Sequence, residues 1–313
     1  MISSPSARNN RIGISSAVGA SVFFSFTDMS VKLLSGDYAL HEIILIRSII
    51  GLTVLVTIIV PLEGGWTVLR TKRLPIHILR GLLVVMANMA FFLGLAAMPL
   101  ADAVAIFFIS PLLITMFSVL FLGETVGPRR WVAVIMGLAG VIIMVRPGSA
   151  SFQLAALLPL IAAVAYAGIH IITRKIGGTE KAGTLTFYAQ IMLLFAAVLM
   201  GLTVGDGRFA GNGDPSLDFL LRGWIWPSNG DWWILLLLGV SSTFAVYFIN
   251  QAYRLCEAGL AAPFEYTAMV LAIFWGVILF GEWPDASAWV GISLIIGGGL
   301  FMLWREAVAS RTQ

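Results

Sequence analysis

Ten stretches of mostly apolar residues, each about 20 long, follow one another along the chain, at roughly 12–34, 42–61, 76–97, 100–122, 129–146, 152–174, 184–204, 232–253, 258–280 and 287–304. A helix rising about 1.5 Å per residue needs about 20 residues to cross about 30 Å of hydrocarbon, so each stretch can span a bilayer. The runs are continuous, without the polar-apolar alternation that a transmembrane barrel requires. Water is excluded as the main solvent, because 59% of the 313 residues are hydrophobic and 11% are charged, where a soluble domain carries roughly a quarter charged residues. The sequence therefore predicts an all-α integral membrane protein of ten transmembrane helices with no separate soluble domain. Arg8 and Arg11 precede the first run as they would in a signal peptide, but the run is long for that role and nine more follow, so it reads as the first span. A single cysteine, Cys256, rules out an intramolecular disulfide framework.

Lysine and arginine give the orientation. With both termini in the cytoplasm, the inner segments hold Arg8, Arg11, Arg70, Lys72, Arg73, Arg129, Arg130, Arg174, Lys175, Lys181, Arg254, Arg305 and Arg311, out of 19 basic residues in all. The outer ends hold Lys32, Arg146, Arg208 and Arg222, and Arg47 and Arg80 fall within spans. This asymmetry follows the positive-inside rule and places the chain in a bacterial inner membrane with cytoplasmic tails at 1–11 and 305–313. The longest connection, about 205–231, is then external and reads as a solvated loop punctuated by Gly, Pro and Asp.

The chain also repeats itself. FLGE at 121–124 recurs as LFGE at 279–282, and Trp131 recurs as Trp289, at a common offset of 158 that also relates Gly140 to Gly298 and Phe107 to Glu265. Upstream the offset is 143, relating Lys32 to Lys175, Phe23 to Tyr166 and Arg47 to Gln190. Each half holds five spans, an odd number, so the second enters the membrane from the opposite side. The expectation is two inverted five-helix repeats, at 12–146 and 152–304. Two like halves of opposite orientation can exchange conformations about a midplane site, which is the basis of alternating access.

PLADAVAIFFISPLL at 99–113 leading into FLGE, and PFEYTAMVLAIFWGVILFGEWPD at 263–285, resemble the two EamA domains of the drug/metabolite transporter superfamily over about residues 12–305. RSIIGL from Arg47, HILRGLL at 77–83 and Pro284-Asp285 after Glu282 are similar to the branch that includes S-adenosylmethionine carriers. The resemblance implies a central cavity lined by spans 1, 3, 4, 6, 8 and 9, with spans 5 and 10 behind. It also implies transport of amino acids, nucleotide-linked metabolites, riboflavin, polyamines or organic acids.

A charge near the bilayer centre costs several kcal/mol, so the few ionisable residues inside spans are the candidates for function. Glu265, about eight residues into span 9, is the strongest, as a proton-coupling group or a partner for a substrate ammonium. Asp28 in span 1 either faces the cavity or pairs with Lys32, one helical turn away. Arg47 in span 2 either binds a carboxylate or locks helices together, and Arg80, near the inner end of span 3, reads more as a lock. His170 in span 6 can titrate near physiological pH or sit as a satisfied core residue. His41 in an external loop and His77 at an inner boundary are too scattered to join it in a metal site.

Asn88, Tyr166, Gln190, Asn250 and Gln251 supply polar groups that must find partners in lipid, and Phe107 and Tyr266 offer aromatic walls. Pro111 and Pro263, in the corresponding spans 4 and 9, read as hinges. Ala133 with Gly137, and Ser293 with Gly297, have the small-xxx-small spacing of close helix packing, within the chain or in a homodimer through spans 5 and 10.

No Walker motif is present for ATP hydrolysis. The expectation is a secondary transporter for a small polar or zwitterionic metabolite of the amino-acid class, coupled to protons or exchanging a counter-substrate, with no cofactor, metal or nucleic-acid partner. A carrier for a vitamin or nucleoside-like metabolite, such as riboflavin or S-adenosylmethionine, is the alternative. A polytopic enzyme acting on lipid is the reading from another class; it calls for acids or histidines clustered at one membrane face, whereas here they are dispersed.

Overall fold

Each apolar run leaves its backbone amides without water, and the chain satisfies them internally by coiling. The computed structural model describes residues 5–123, 128–145, 154–211, 213–256 and 262–309, among which every regular element is helical. They are α1 (Pro5–Leu34), α2 (Leu40–Glu63, with a π-helical stretch at Leu55–Ile59), α3 (Leu74–Ala97), α4 (Leu100–Phe107), α5 (Ser110–Leu122), α6 (Pro128–Val145), α7 (Leu157–Ile176), α8 (Ala182–Val204), α9 (Pro215–Leu221), α10 (Trp232–Leu255), α11 (Thr267–Phe280) and α12 (Ala286–Ala309). Among the described residues 7 helical segments are long and apolar enough to cross a membrane, and Ile135–Val145, Phe264–Phe280 and Ala286–Gly298 are shorter apolar helices. Glu124 of the first motif, the junction at 146–153 and the expected start of span 9 at 258–261 lie outside the described residues.

The repeated motif ends two helices in the same way. Gly123 closes α5 at φ 69° and Gly281 closes α11 at φ 64°, both left-handed, where a residue with a Cβ is strained. Beyond Gly281, Glu282 turns back to receive Lys32 Nζ at 2.7 Å and the Leu100 amide at 2.9 Å. Lys32 also donates to the Met98 carbonyl at 2.8 Å. Of the two readings of Asp28, the pair with Lys32 is not formed: at the end of α1 the lysine stem reaches the start of α4, where the Glu282 carboxylate and the Met98 carbonyl are waiting. Glu282→Gln keeps an acceptor for the Leu100 amide but loses the ion pair. A charge-assisted hydrogen bond contributes about 1.5–3 kcal/mol, so the detergent-solubilised variant should melt measurably below the wild type; an unchanged melting curve would remove the pair from the stability of the fold.

Packing follows the repeat. Exchanging the halves relates α1 to α7, α2 to α8, α3 to α10, α4–α5 to α11 with its preceding turn, and α6 to α12. The α1–α10 contact has its counterpart in α7–α3, α2–α10 in α8–α3, and α1–α11 in α7–α5, while α2–α8 and α6–α12 map onto themselves; all are present. In the α6–α12 pair a Cβ on Gly140 would lie 2.7 Å from the Gly291 carbonyl oxygen, and one on Gly291 would lie 2.8 Å from that of Gly140. The close approach of these helices thus lies within the chain and centres on Gly140 and Gly291. Gly137 faces α5 instead, where an added Cβ would collide with Leu112.

The connection at about 205–231 is not the bare solvated loop expected. It carries α9, capped by Asp214, whose Oδ1 accepts the Leu217 amide at 2.9 Å. Phe219 is fully buried beneath it, and Ser216 Oγ donates to the Leu93 carbonyl at 2.8 Å. Further along, Arg222 Nη1 donates to the Ser35 carbonyl at 3.1 Å and Tyr38 to Asp231 Oδ2 at 2.6 Å. The hydroxyls of Ser228 and Tyr38 hold the Asp231 carboxyl below the usual carboxylate range. The segment is thereby tied down over the end of α1, the start of α2 and the end of α3.

Candidate functional site

The fourth run breaks in the middle. α4 stops at Phe107 and α5 starts at Ser110 with Pro111 in its first turn, where a residue with no N–H and a fixed φ fits without loss. In the second half a 3-10 turn at Ala262–Tyr266, carrying Pro263 and Glu265, precedes α11. The offset of 158 maps Phe108 and Ile109 onto Tyr266 and Thr267, so α5 and α11 start at corresponding places in the two repeats. Pro111 thus stands in the first turn of a new helical segment, and Pro263 lies in the 3-10 turn that leads into α11. These helix starts bring aromatic groups together: Phe108 and Tyr266 have ring centroids 5.4 Å apart, and Phe107 and Tyr166 5.0 Å.

Around these starts lies a cavity lined by Asp28, Arg47, Asn88, Phe107, Tyr166, His170, Gln190, Asn250 and Glu265, residues drawn from both halves. Two other candidates are placed elsewhere. Gln251 accepts from Arg254 Nη1 at 3.4 Å, and Tyr266 is buried against Phe108. Arg47 reaches the cavity although span 2 was expected to be peripheral. Gly51, one turn further along α2, makes this possible: a Cβ there would lie 2.4 Å from Thr243 Oγ1 and 2.7 Å from Gln190 Nε2, so α2 is drawn tightly against α8 and α10.

Glu265 is 5% exposed, and each carboxylate oxygen is occupied. Tyr166 donates to Oε2 at 2.8 Å, and the Tyr253 hydroxyl donates to Oε1. The His170 ring sits between those two phenol rings, with centroids 4.2 Å from Tyr166 and 4.0 Å from Tyr253. A carboxyl group in so apolar a place is strongly coupled to its few hydrogen bonds, because little water competes for them.

The basic groups are arranged differently. Arg47 donates through Nη2 to Asn88 Oδ1 at 2.5 Å and lies 5.1 Å over the Phe92 ring, while its buried Nε has no partner. Asp28 lines the same cavity within coulombic reach of Arg47, but the two make no contact within 4.0 Å. Arg80 uses its whole fork: Nε donates to Thr173 Oγ1 at 2.9 Å, Nη1 to the Leu185 carbonyl at 2.9 Å and Nη2 to Asn250 Oδ1 at 2.5 Å. It ties α3 to α7, α8 and α10, as a helix lock should, and it also lines the cavity, which was missed. The neighbouring Gly81 carried the available signal: a Cβ there would lie 2.3 Å from Met192 Cγ, so α3 and α8 nearly touch beside the arginine. Among the described residues no group of three or more His, Cys, Asp or Glu side chains could hold a metal ion.

One sequence pattern, that of the EamA-like transporter family, matches residues 11–146 and again residues 153–304. The chain belongs to this family. It is a member of the drug/metabolite transporter superfamily with two EamA repeats, an integral membrane protein and a transporter, which removes the lipid-enzyme alternative. It is 27% identical over 282 residues to the S-adenosylmethionine uptake transporter of Rickettsia prowazekii, covering 90% of this chain and 89% of that protein. It is 31% identical over 242 residues to the riboflavin transporter of Rhizobium johnstonii, covering 77% and 74%. Against the pseudopaline exporter of Pseudomonas aeruginosa it is 29% identical over 304 residues, covering 96% of each. A solved crystal structure with 21% identity superposes with a TM-score of 0.67 over 96% of this chain and 99% of that one, so the two share a fold.

Proposed function

We propose that this EamA transporter is a ten-span secondary carrier of the bacterial inner membrane, with both termini cytoplasmic, and that it moves a small mixed-charge metabolite of the amino-acid or amino-acid-derivative class. The observation that carries the reading is one cavity lined by opposite charges, Asp28 and Glu265 with Arg47 and Arg80, among aromatic walls. A zwitterion leaves water more readily when each of its charges meets an opposite charge inside the protein than when it enters hydrocarbon alone. Repeats at 12–146 and 152–304 rock about this site, and the corresponding starts of α5 and α11 absorb the change in backbone. Glu265 holds or releases a proton as the cavity empties and fills. The similarity to S-adenosylmethionine uptake transporters supports the class, since that compound carries an amino-acid head group.

A second reading, a riboflavin carrier, is favoured by Phe91, Phe107, Phe108 and Tyr166 around the cavity, which suit a flat ring, and by the similarity to riboflavin transporters. The test is a thermal-shift comparison of purified protein with S-adenosylmethionine, amino acids and riboflavin, followed by counterflow of the hits in liposomes. Stabilisation and counterflow by a zwitterion is the expected result. Riboflavin acting alone would transfer the assignment to the vitamin, and absence of flux for every compound would defeat both readings.

A further inference from the structure

We infer that Asp28 and Arg47 together form the clamp for a zwitterionic head group, Arg47 receiving the carboxylate and Asp28 the ammonium, while Glu265 is withheld from the substrate by its own tyrosines. The inference rests on the carrier reading above and assigns the parts of its site. Both oxygens of Glu265 are already hydrogen-bonded by phenols. All three nitrogens of Arg80 are engaged by neutral acceptors. Arg47 is 3% exposed, yet its Nε is without an acceptor, and its one bonded neighbour, Asn88, is itself held by donation to the Val84 carbonyl at 2.9 Å.

Asp28 accepts no hydrogen bond from any described residue, and its charge is balanced only by Arg47 at a distance. A buried acid and base that serve only the fold gain most by closing into a direct pair. Here the asparagine occupies one arm of the guanidinium and keeps the pair open, leaving an unused cationic donor and an unused anionic acceptor on one cavity. Gln190 adds a second waiting acceptor: its Nε2 is bonded to Thr243 at 3.2 Å, while its buried Oε1 has no partner. A carboxylate and an ammonium borne on one carbon match this set.

The test measures binding of S-adenosylmethionine and of decarboxylated S-adenosylmethionine, which lacks only the carboxylate, to the full-length protein in detergent. The wild type should bind the decarboxylated compound at least about tenfold more weakly, as expected for the loss of a charge-assisted hydrogen bond. Arg47→Gln should bind both equally weakly, because the group it recognised is already missing from one of them. Asp28→Asn should weaken both by a similar factor and retain the discrimination. Glu265→Gln should retain the discrimination and weaken both compounds less than Asp28→Asn does. Equal binding of the two compounds by the wild type overturns the clamp without any substitution, so the result does not depend on a variant folding. Discrimination retained by a folded Arg47→Gln, or weakening by Glu265→Gln equal to that by Asp28→Asn, overturns it too. If neither compound binds, the substrate class fails and the clamp fails with it; if S-adenosylmethionine binds and the assignments do not hold, only the clamp fails.

Discussion

The Glu265→Gln protein is expected to fold, insert into the membrane and bind substrate, yet to carry no net substrate. Glutamine has the shape of glutamate and can still accept from one phenol through its carbonyl oxygen. Its amide N–H can donate to the oxygen of the other, so the cluster of Tyr166, Tyr253 and His170 keeps its geometry. Turning charge-assisted bonds into neutral ones costs about 1 kcal/mol for each, a modest part of the stability. What is lost is the ability to bind and release a proton. The position related by the repeat, Phe107, has no titratable group to replace it. The measurement is a pair of fluxes in liposomes. Net uptake driven by a gradient should vanish, whereas exchange of labelled for unlabelled substrate, which needs no net proton movement, should persist. Net uptake at the wild-type rate would remove Glu265 from coupling; loss of both fluxes together with loss of binding would make it a substrate ligand instead.

How much of this was legible beforehand depends on the kind of signal. Helix positions were readable because length and apolarity are properties of a segment, and most described helices begin and end close to the limits of the apolar runs. The interruption of span 4 was half readable: Pro111 marked the place, but whether a proline bends a helix or restarts one depends on what packs beside it. The choice of face was the hard part. In a soluble helix an apolar stripe marks the buried side, but a membrane helix is apolar all round and only its polar exceptions give the phase. Asp28, Arg47, Asn88 and Gln190 were found in that way.

The method fails where exceptions are adjacent. Asn250 lines the cavity and Gln251 does not, because one residue turns a helix by about 100°. Glu265 and Tyr266 divide in the same manner. The partner of Lys32 was not readable, because a turn within one helix is visible in sequence and a carboxylate 250 residues away is not. Phe219 was hidden by the aspartates around it, which marked the loop as solvated although one aromatic residue holds it to the bundle. Arg80 was read as a helix lock near the inner end of span 3, which its three hydrogen bonds agree with; its place on the cavity was not read, and the structure turns the side chain inward, 2% exposed.

That inward turn gives Arg80 the largest expected effect on stability of any single side chain in the site. Arg80→Ala removes three donors at once and leaves Thr173 Oγ1, the Leu185 carbonyl and Asn250 Oδ1 facing an emptied space. Each buried acceptor left without a donor costs about 1–3 kcal/mol. The loss falls on contacts that tie α3 to α7, α8 and α10, the helices around the cavity. Asn250 does not recover through its other atom, since Nδ2 already donates to Thr186 Oγ1 at 3.1 Å. The variant should therefore accumulate poorly in membranes and melt well below both the wild type and Glu265→Gln. Arg80→Lys separates charge from geometry: it restores a cation, but a single ammonium cannot reproduce the planar fork that meets acceptors on three helices. It should recover only part of the lost melting temperature. If Arg80→Ala melted like the wild type, the fork would not hold the bundle together. If Arg80→Lys recovered stability completely, charge would be the contribution that matters and the three directed hydrogen bonds would not.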